Sequence, residues 1–504
     1  MLLRTLLPLT WLVLGSTTCA HVSPPGETTI TILHTNDIHA RYLPREASWV
    51  NPEPRPLIGG FTRLSEVIDS LRSVHPLTVT LDAGDVMTGN PIADRLYKGA
   101  QGGLLIELMN MLEYDAWSPG NHEFDISQEN MRALVAAASF PSLAANLADS
   151  SGEQYHGMHP FTILSRGGLR IGVIGLISQR LSSLVLQHNL TGIRVHDPAA
   201  TLERWIQELD PVTDLLIVLT HQGYQADSIL AEESTGLDII VGGHSHTRLQ
   251  EPRVVNGVLI VQAGSYCENL GVLTVTVRDD RISDFRGQLL PLWVSRPPGQ
   301  SPVAHLVDSV RTVINNEYGE VILTLGQPWR RNDPAQRLLI AVTEAQRAAA
   351  RAEVAFMNRG GIRRDLEAGP VTRNDLYEAI PFRNVLGTFQ LSGAELRDVL
   401  VYVLDRETDV VLTGLNAEWR KGERGGVELL RVRIGEAPLK DDSTYRCAAS
   451  DYFLSQFSRY CGREQPSAAY SGLTVFEAVE QTLRQDGIQE RLPAPGINER
   501  QAEQ

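Results

Sequence analysis

This sequence predicts an α/β layered core followed by a second, smaller α/β domain. Three observations support it. From residue 28 onward, runs of strand length alternate with segments of helical period. The chain has 504 residues, too many for one ordinary core. The composition also breaks at Arg296-Pro297-Pro298-Gly299, which reads as a linker, before the alternation resumes. The expected divisions are a segment 1–20, a first domain 27–295, a linker with a helix 296–320 and a second domain 321–495.

The first twenty residues stand apart. Arg4 precedes an apolar run, Leu6 to Leu14, that is too short to span a bilayer, and small residues lead to Thr18-Cys19-Ala20. That is the layout of a secretory signal peptide, and it predicts a periplasmic or extracellular protein. Lipid anchoring through Cys19 is the lesser alternative, because Ser16-Thr17-Thr18 is a poor acylation signal. No later segment is long and apolar enough to be a transmembrane helix.

The first strand, Thr28 to Leu33, runs into Asn36-Asp37-Ile38-His39. A helix follows from Phe61 to Val74, with its apolar residues on one face. The next strand, Leu77 to Leu81, ends in Asp82-Ala83-Gly84-Asp85. A helix near Gly103 to Leu112 precedes Gly120-Asn121-His122-Glu123, and Ser127 is placed to cap another. Gly167-Gly168 reads as a hairpin turn between Phe161–Leu164 and Arg170–Ile174. Leu215 to Leu219 leads to His221, and Leu237 to Val241 leads to Gly243-His244-Ser245-His246. Beyond the linker, helices are expected at Val303–Asn315, Ala335–Arg351 and Ser392–Leu404. Strands are expected at Val354–Met357 and Leu429–Ile434.

The formal net charge is −15, which argues against a nucleic-acid polymer or an anionic membrane as partner. An anionic small substrate would need local positive charge, and bound cations would supply it. Of the four cysteines, Cys447 and Cys461 are either a disulfide or two buried thiols, and the spacings match no cysteine zinc site.

The chemistry lies at the strand ends, where open α/β sheets place their sites. Asp37 and His39 are two apart, so in extended chain both point the same way. Asp85 follows two small residues, and its carboxylate can bridge two ions. Asn121 offers an amide oxygen; His221, His244 and His246 offer imidazole nitrogens. This nitrogen and oxygen set without thiolate suits Zn, Mn, Fe, Co or Mg. Two divalent ions offset by Asp37 and Asp85 keep a residual positive charge that attracts a phosphoryl group and acidifies water. His122 is then free to act on substrate, with Asp125 placed to orient it. Each cluster alone is more often structural; five in order, each closing a strand, are not.

The series Asp37-x-His39, Gly84-Asp85, Gly120-Asn121-His122-Glu123, His221 and Gly243-His244-x-His246 resembles the calcineurin-like metallophosphoesterases. Asn358-Arg359-Gly360-Gly361-Ile362-Arg363 and Pro381-Phe382-Arg383-Asn384 resemble the C-terminal domain of 5′-nucleotidases and UDP-sugar hydrolases. The resemblance implies a four-layer β-sandwich flanked by helices, joined to an α/β substrate-binding domain that can rotate. It implies two divalent ions, one on Asp37, His39, Asp85 and His246, the other on Asp85, Asn121, His221 and His244. It also implies a catalytic dyad of His122 and Asp125, and release of phosphate from 5′-nucleotides or related nucleotide esters. Arg359, Arg363, Arg383 and Asn384 are the candidate polar contacts to substrate.

The family stacks a base between two aromatic rings. Here Asp409 to Gly414 holds no aromatic residue, and Asp451 to Tyr460 replaces a glycine-rich loop. Phe457 and Tyr460 are the candidate replacements. The altered clamp leaves open a non-nucleotide substrate, similar to that of the thiosulfohydrolase of sulfur oxidation. A catalytically silent exported binding protein is the third reading.

Overall fold

The computed structural model describes residues 26–50, 54–295, 297, 299–422, 425–485 and 496–499. The expected signal peptide, with Cys19, lies outside the described residues, as do Arg296 and Pro298 of the linker.

Two sheets face each other in the first domain. One has five strands in the order Arg281–Pro291, Asn269–Arg278, Thr28–Thr35, Thr78–Asp82, Ala116–Trp117. The other has six, in the order Arg253–Val255, Val258–Val261, Ile239–Gly242, Leu215–His221, Leu169–Ile177, Phe161–Arg166. Ile30, Ile32, Val79 and Leu81 of the first sheet meet Ile171, Val173, Ile217 and Val241 of the second in a shared core. Neighbours in the same strands point the other way. Leu33 packs with the helices Phe61–Val74 and Gly103–Met111. Ile174, Leu216, Val218 and Ile240 pack under the helices Pro198–Leu209 and Tyr224–Glu233. The result is four layers: helix, sheet, sheet, helix. Strands buried on both faces read as unbroken apolar runs, which is how they stand in the sequence.

The local signals have physical counterparts. Ser127 Oγ accepts a hydrogen bond from the amide of Asn130 at 3.1 Å and caps Gln128–Ala137. Gly167 and Gly168 have φ of 57° and 87°, the two left-handed positions of a tight hairpin turn.

The second domain has a five-stranded sheet in the order Val410–Thr413, Val354–Asn358, Thr444–Ser450, Val385–Ser392, Ala469–Thr474. Helices Arg337–Ala349 and Val475–Leu483 cover one face, where Met357 and Val411 point. The helix Gly393–Asp405 covers the other, with Phe356 and Leu412. Between the domains, the helix Pro302–Tyr318 lays Val303, Val307, Val310 and Ile314 on the helical layer of the first domain. Cys267, Cys447 and Cys461 are buried free thiols. No helix among the described residues is long and apolar enough to cross a membrane.

Candidate metal centre

The loops that leave Thr28–Thr35, Thr78–Asp82, Leu215–His221 and Ile239–Gly242 bring their polar residues to one place. Among the described residues, three sets have ligand atoms within 4.8 Å of one another: Asp37, His39 and His246; His39, Asp85 and His122; Asp85, His221 and His244. His246 Nε2 is 3.3 Å from Asp37 Oδ1, and His221 Nε2 is 3.0 Å from Asp85 Oδ2.

These residues fit divalent cations. Asp37 Oδ1 and Asn121 Oδ1 are buried with no hydrogen-bond partner. Leaving such a group unsatisfied costs about 1–3 kcal/mol each, and both are lone-pair donors facing one centre. The other polar atoms of Asp37 and His221 are already engaged. Asp37 Oδ2 accepts from Asn36 Nδ2 at 2.7 Å and from the amide of His244 at 2.9 Å. His221 Nδ1 donates to the Ala83 carbonyl at 2.6 Å, and His39 Nδ1 to that of Thr88 at 3.2 Å, so both present Nε2 to the centre. Burial works to lower the pKa of His221, but Asp85 and Asp37 beside it raise it to about 10. A bound cation would take the place of that proton.

The backbone is bent hard around this point. Asp37, His39, Asp85, His244 and His246 have φ of 51°, 48°, 57°, 75° and 55°. The left-handed region costs a residue with a side chain about 1–2 kcal/mol, and such strain gathers at functional sites. Glu123 holds part of it in place. Its carboxylate, 1% exposed, accepts from the amides of Gly120, Asp85, Val86 and Met87 at 2.6, 3.1, 2.8 and 3.0 Å. Sequence reasoning gave Glu123 no role, although the acid beside Asn121-His122 was the available signal. Gly120 permits the close approach, because a Cβ there would lie 2.2 Å from Asp85 Oδ1.

His122 Nδ1 lies 2.7 Å from Asp125 Oδ2, and the His122 amide donates to Asp85 Oδ1 at 2.9 Å. Burial lowers the pKa of His122, but Asp125 and Asp85 outweigh it, and the net shift is upward. The imidazole therefore keeps a proton more readily than a free histidine.

A cavity of about 600 Å³ opens from this centre toward the second domain. Asp85, Asn121, His122, His244 and His246 line one side; Arg363, Phe382, Arg383, Asn384 and Tyr452 line the other. Arg363 Nη2 is 3.5 Å from His39 Nε2, and Arg383 pairs with Asp94 at 2.8 Å. Arg359 is not among the lining residues; it pairs with Asp409 at 3.7 Å.

Phe457 and Tyr460, expected to replace the clamp, are corrected by their positions. Phe457 is 1% exposed and packs against Phe356 and Phe389, and Tyr460 stacks on Phe453 at 5.1 Å. Phe453, Phe457, Tyr460 and Cys461 recur at helical spacing, so one apolar stripe faces the sheet. The aromatic side chains of the second domain that line the cavity are Tyr377, Phe382, 5.8 Å from the His122 ring, and Tyr452, whose hydroxyl donates to the Ser183 carbonyl at 3.3 Å.

The domains meet at Glu378. Arg41 pairs with it at 3.0 Å, Asn90 donates to it at 2.7 Å, and Arg364 of its own domain also pairs with it. Tyr377 donates to Asp94 at 2.7 Å beside it.

A four-layer core whose strand ends gather histidine and aspartate side chains able to hold divalent cations, with a histidine–aspartate pair at its edge, is that of a metal-dependent phosphoric ester hydrolase. The chain belongs to the calcineurin-like phosphoesterases that carry a 5′-nucleotidase C-terminal domain: the first family matches residues 30–248 and the second residues 326–461. It is 28% identical to the 5′-nucleotidase of Homo sapiens, over 85% of this chain and 83% of that one. It is 26% identical to the trifunctional nucleotide phosphoesterase of Bacillus subtilis, over 84% of this chain but 31% of that longer protein. The 5′-nucleotidase precursor of Thermus thermophilus shares the fold, with a TM-score of 0.79 at 24% identity, over 94% of this chain and 99% of that one.

Proposed function

We propose that the chain releases phosphate from 5′-nucleotides or related nucleotide esters, using two divalent cations such as Zn or Mn, and that it acts after export. The observation that carries this reading is the single cavity shared by the ligand cluster, His122 and the polar and aromatic residues of the second domain. Asp37, His39, Asp85 and His246 would hold one cation, and Asp85, Asn121, His221 and His244 the other. Bound there, the cations supply electrostatic stabilisation of the phosphoryl group and a water of lowered pKa. His122 holds a proton on Nε2 for the leaving oxygen, and Asp125 fixes its tautomer through Nδ1. Arg363 faces the ligand cluster and takes phosphoryl oxygens, while Arg383, Asn384, Phe382 and Tyr452 face the leaving group.

The test is phosphate release with Mn or Zn added, from adenosine monophosphate, a nucleotide sugar, a cyclic nucleotide and nitrophenyl phosphate. Preference for a nucleotide is expected. A simple non-nucleotide ester is the second reading, favoured by the burial of Phe457 and Tyr460, and turnover of nitrophenyl phosphate alone would establish it. The complete ligand cluster and the His122–Asp125 pair speak against a silent binding protein. Export rests on residues 1–20, and the exported protein is expected to begin at His21.

A further inference from the structure

Tyr266 is neither one of the seven ligands nor part of the dyad, yet it touches one half of the centre. Its ring centroid lies 5.4 Å from that of His39 and 5.6 Å from that of His246, the latter at an interplanar angle of 85°. Its amide donates to the Asp37 carbonyl at 2.7 Å. One residue therefore contacts all three members of the set Asp37, His39 and His246. Among the described residues, the imidazoles its ring meets belong to this set and not to Asp85, His221 and His244.

His246 gains from such support. Its side chain is 27% exposed, against 0% for His221 and 3% for Asp85, and His244 of the other set is half-buried as well. Among the described residues no carbonyl orients its ring in the way Ala83 orients His221. A ligand ring that is free to turn loses that freedom on binding, so a neighbour that fixes it beforehand raises affinity.

Tyr266 is itself held firmly. Its φ is 59° and that of Cys267 is 54°, both left-handed. Arg45 lies over the Tyr266 ring at 5.2 Å, with Arg41 at 6.0 Å. Glu268, 1% exposed, pairs with both Arg45 and Arg248. A buried carboxylate thus anchors the guanidinium that backs the tyrosine ring.

We propose that Tyr266 is a positioning residue that sets the two cation positions apart, raising the affinity of the Asp37–His39–His246 position by fixing its two imidazoles. The inference rests on reading the centre as a cation site.

The test is Zn(II) binding by the full chain in competition with a chromophoric chelator, resolved into two steps. Tyr266→Asn removes the ring while tolerating the left-handed backbone, and Tyr266→Phe keeps the ring. His246→Ala identifies which step belongs to the first position. Tyr266→Asn is expected to weaken that step about 10- to 100-fold, with the other step within about twofold, and Tyr266→Phe to bind like the parent. Unchanged steps in Tyr266→Asn would overturn the proposal, as would equal weakening of both. If the parent protein takes up no zinc, the cation reading itself fails, and that result is distinct from the other two.

Discussion

Asp125 Oδ2 accepts a hydrogen bond from His122 Nδ1 at 2.7 Å, and the same oxygen accepts from Thr88 Oγ1 at 2.7 Å. The carboxylate is therefore fixed before it fixes the imidazole. Removing its charge with Asp125→Asn lowers the pKa of His122, which Asp125 and Asp85 hold above the ordinary value against burial. A general acid works below its pKa and is lost as pH rises through it. The alkaline limb of the kcat–pH profile should then move to lower pH, and kcat should fall about 100-fold or more. A limb that stays in place would separate His122 from the proton transfer.

Asp85 groups with His221 and His244 on one side, 3.0 Å from His221, and with His39 on the other. Asp85→Ala should abolish turnover and reduce bound metal, measured by elemental analysis, while far-ultraviolet circular dichroism stays that of the parent. Turnover like the parent's with metal restored would exclude a bridging role.

Glu378 ties the domains together through a buried charge. Burial opposes its ionisation, but Arg41 and Arg364 outweigh burial and hold its pKa down to about 2, from 4.5. Its stabilisation is therefore complete above the unfolded value and fades as pH falls toward 2. Glu378→Gln should cost about 3 kcal/mol near neutral pH, because Arg41 is left buried without its partner. The deficit, read from urea unfolding, should shrink below about pH 4. A deficit independent of pH would place the effect in packing instead of charge.

Phe457 and Tyr452 should separate cleanly. Phe457→Ala empties a core position and should cost about 3–5 kcal/mol of stability, leaving the ratio of nucleotide to nitrophenyl phosphate turnover unchanged. Tyr452→Ala should shift that ratio by raising KM for the nucleotide. Steady-state kinetics on both substrates decide between them.

The sequence by itself determined the layered fold and the polar residues that stand at its strand ends, because both are written in short stretches of chain. A strand buried on both faces needs an unbroken apolar run, and its polar end is where a ligand can stand. The helix read as Phe61 to Val74 has those bounds in the structure, since its apolar stripe is continuous. Tertiary structure alone decided the rest. The stripe Phe453, Phe457, Tyr460 and Cys461 shows which residues are buried together but not that the sheet takes both candidate rings while Tyr452 and Phe382 reach the cavity. Glu123 gathers amides from the Asp85 loop, and Arg41 meets Glu378 across 337 positions of sequence. Tyr266 meets His39 and His246 from a third loop. Such pairings depend on how two sheets and two domains pack, and no local periodicity encodes the distance between segments that meet only after folding.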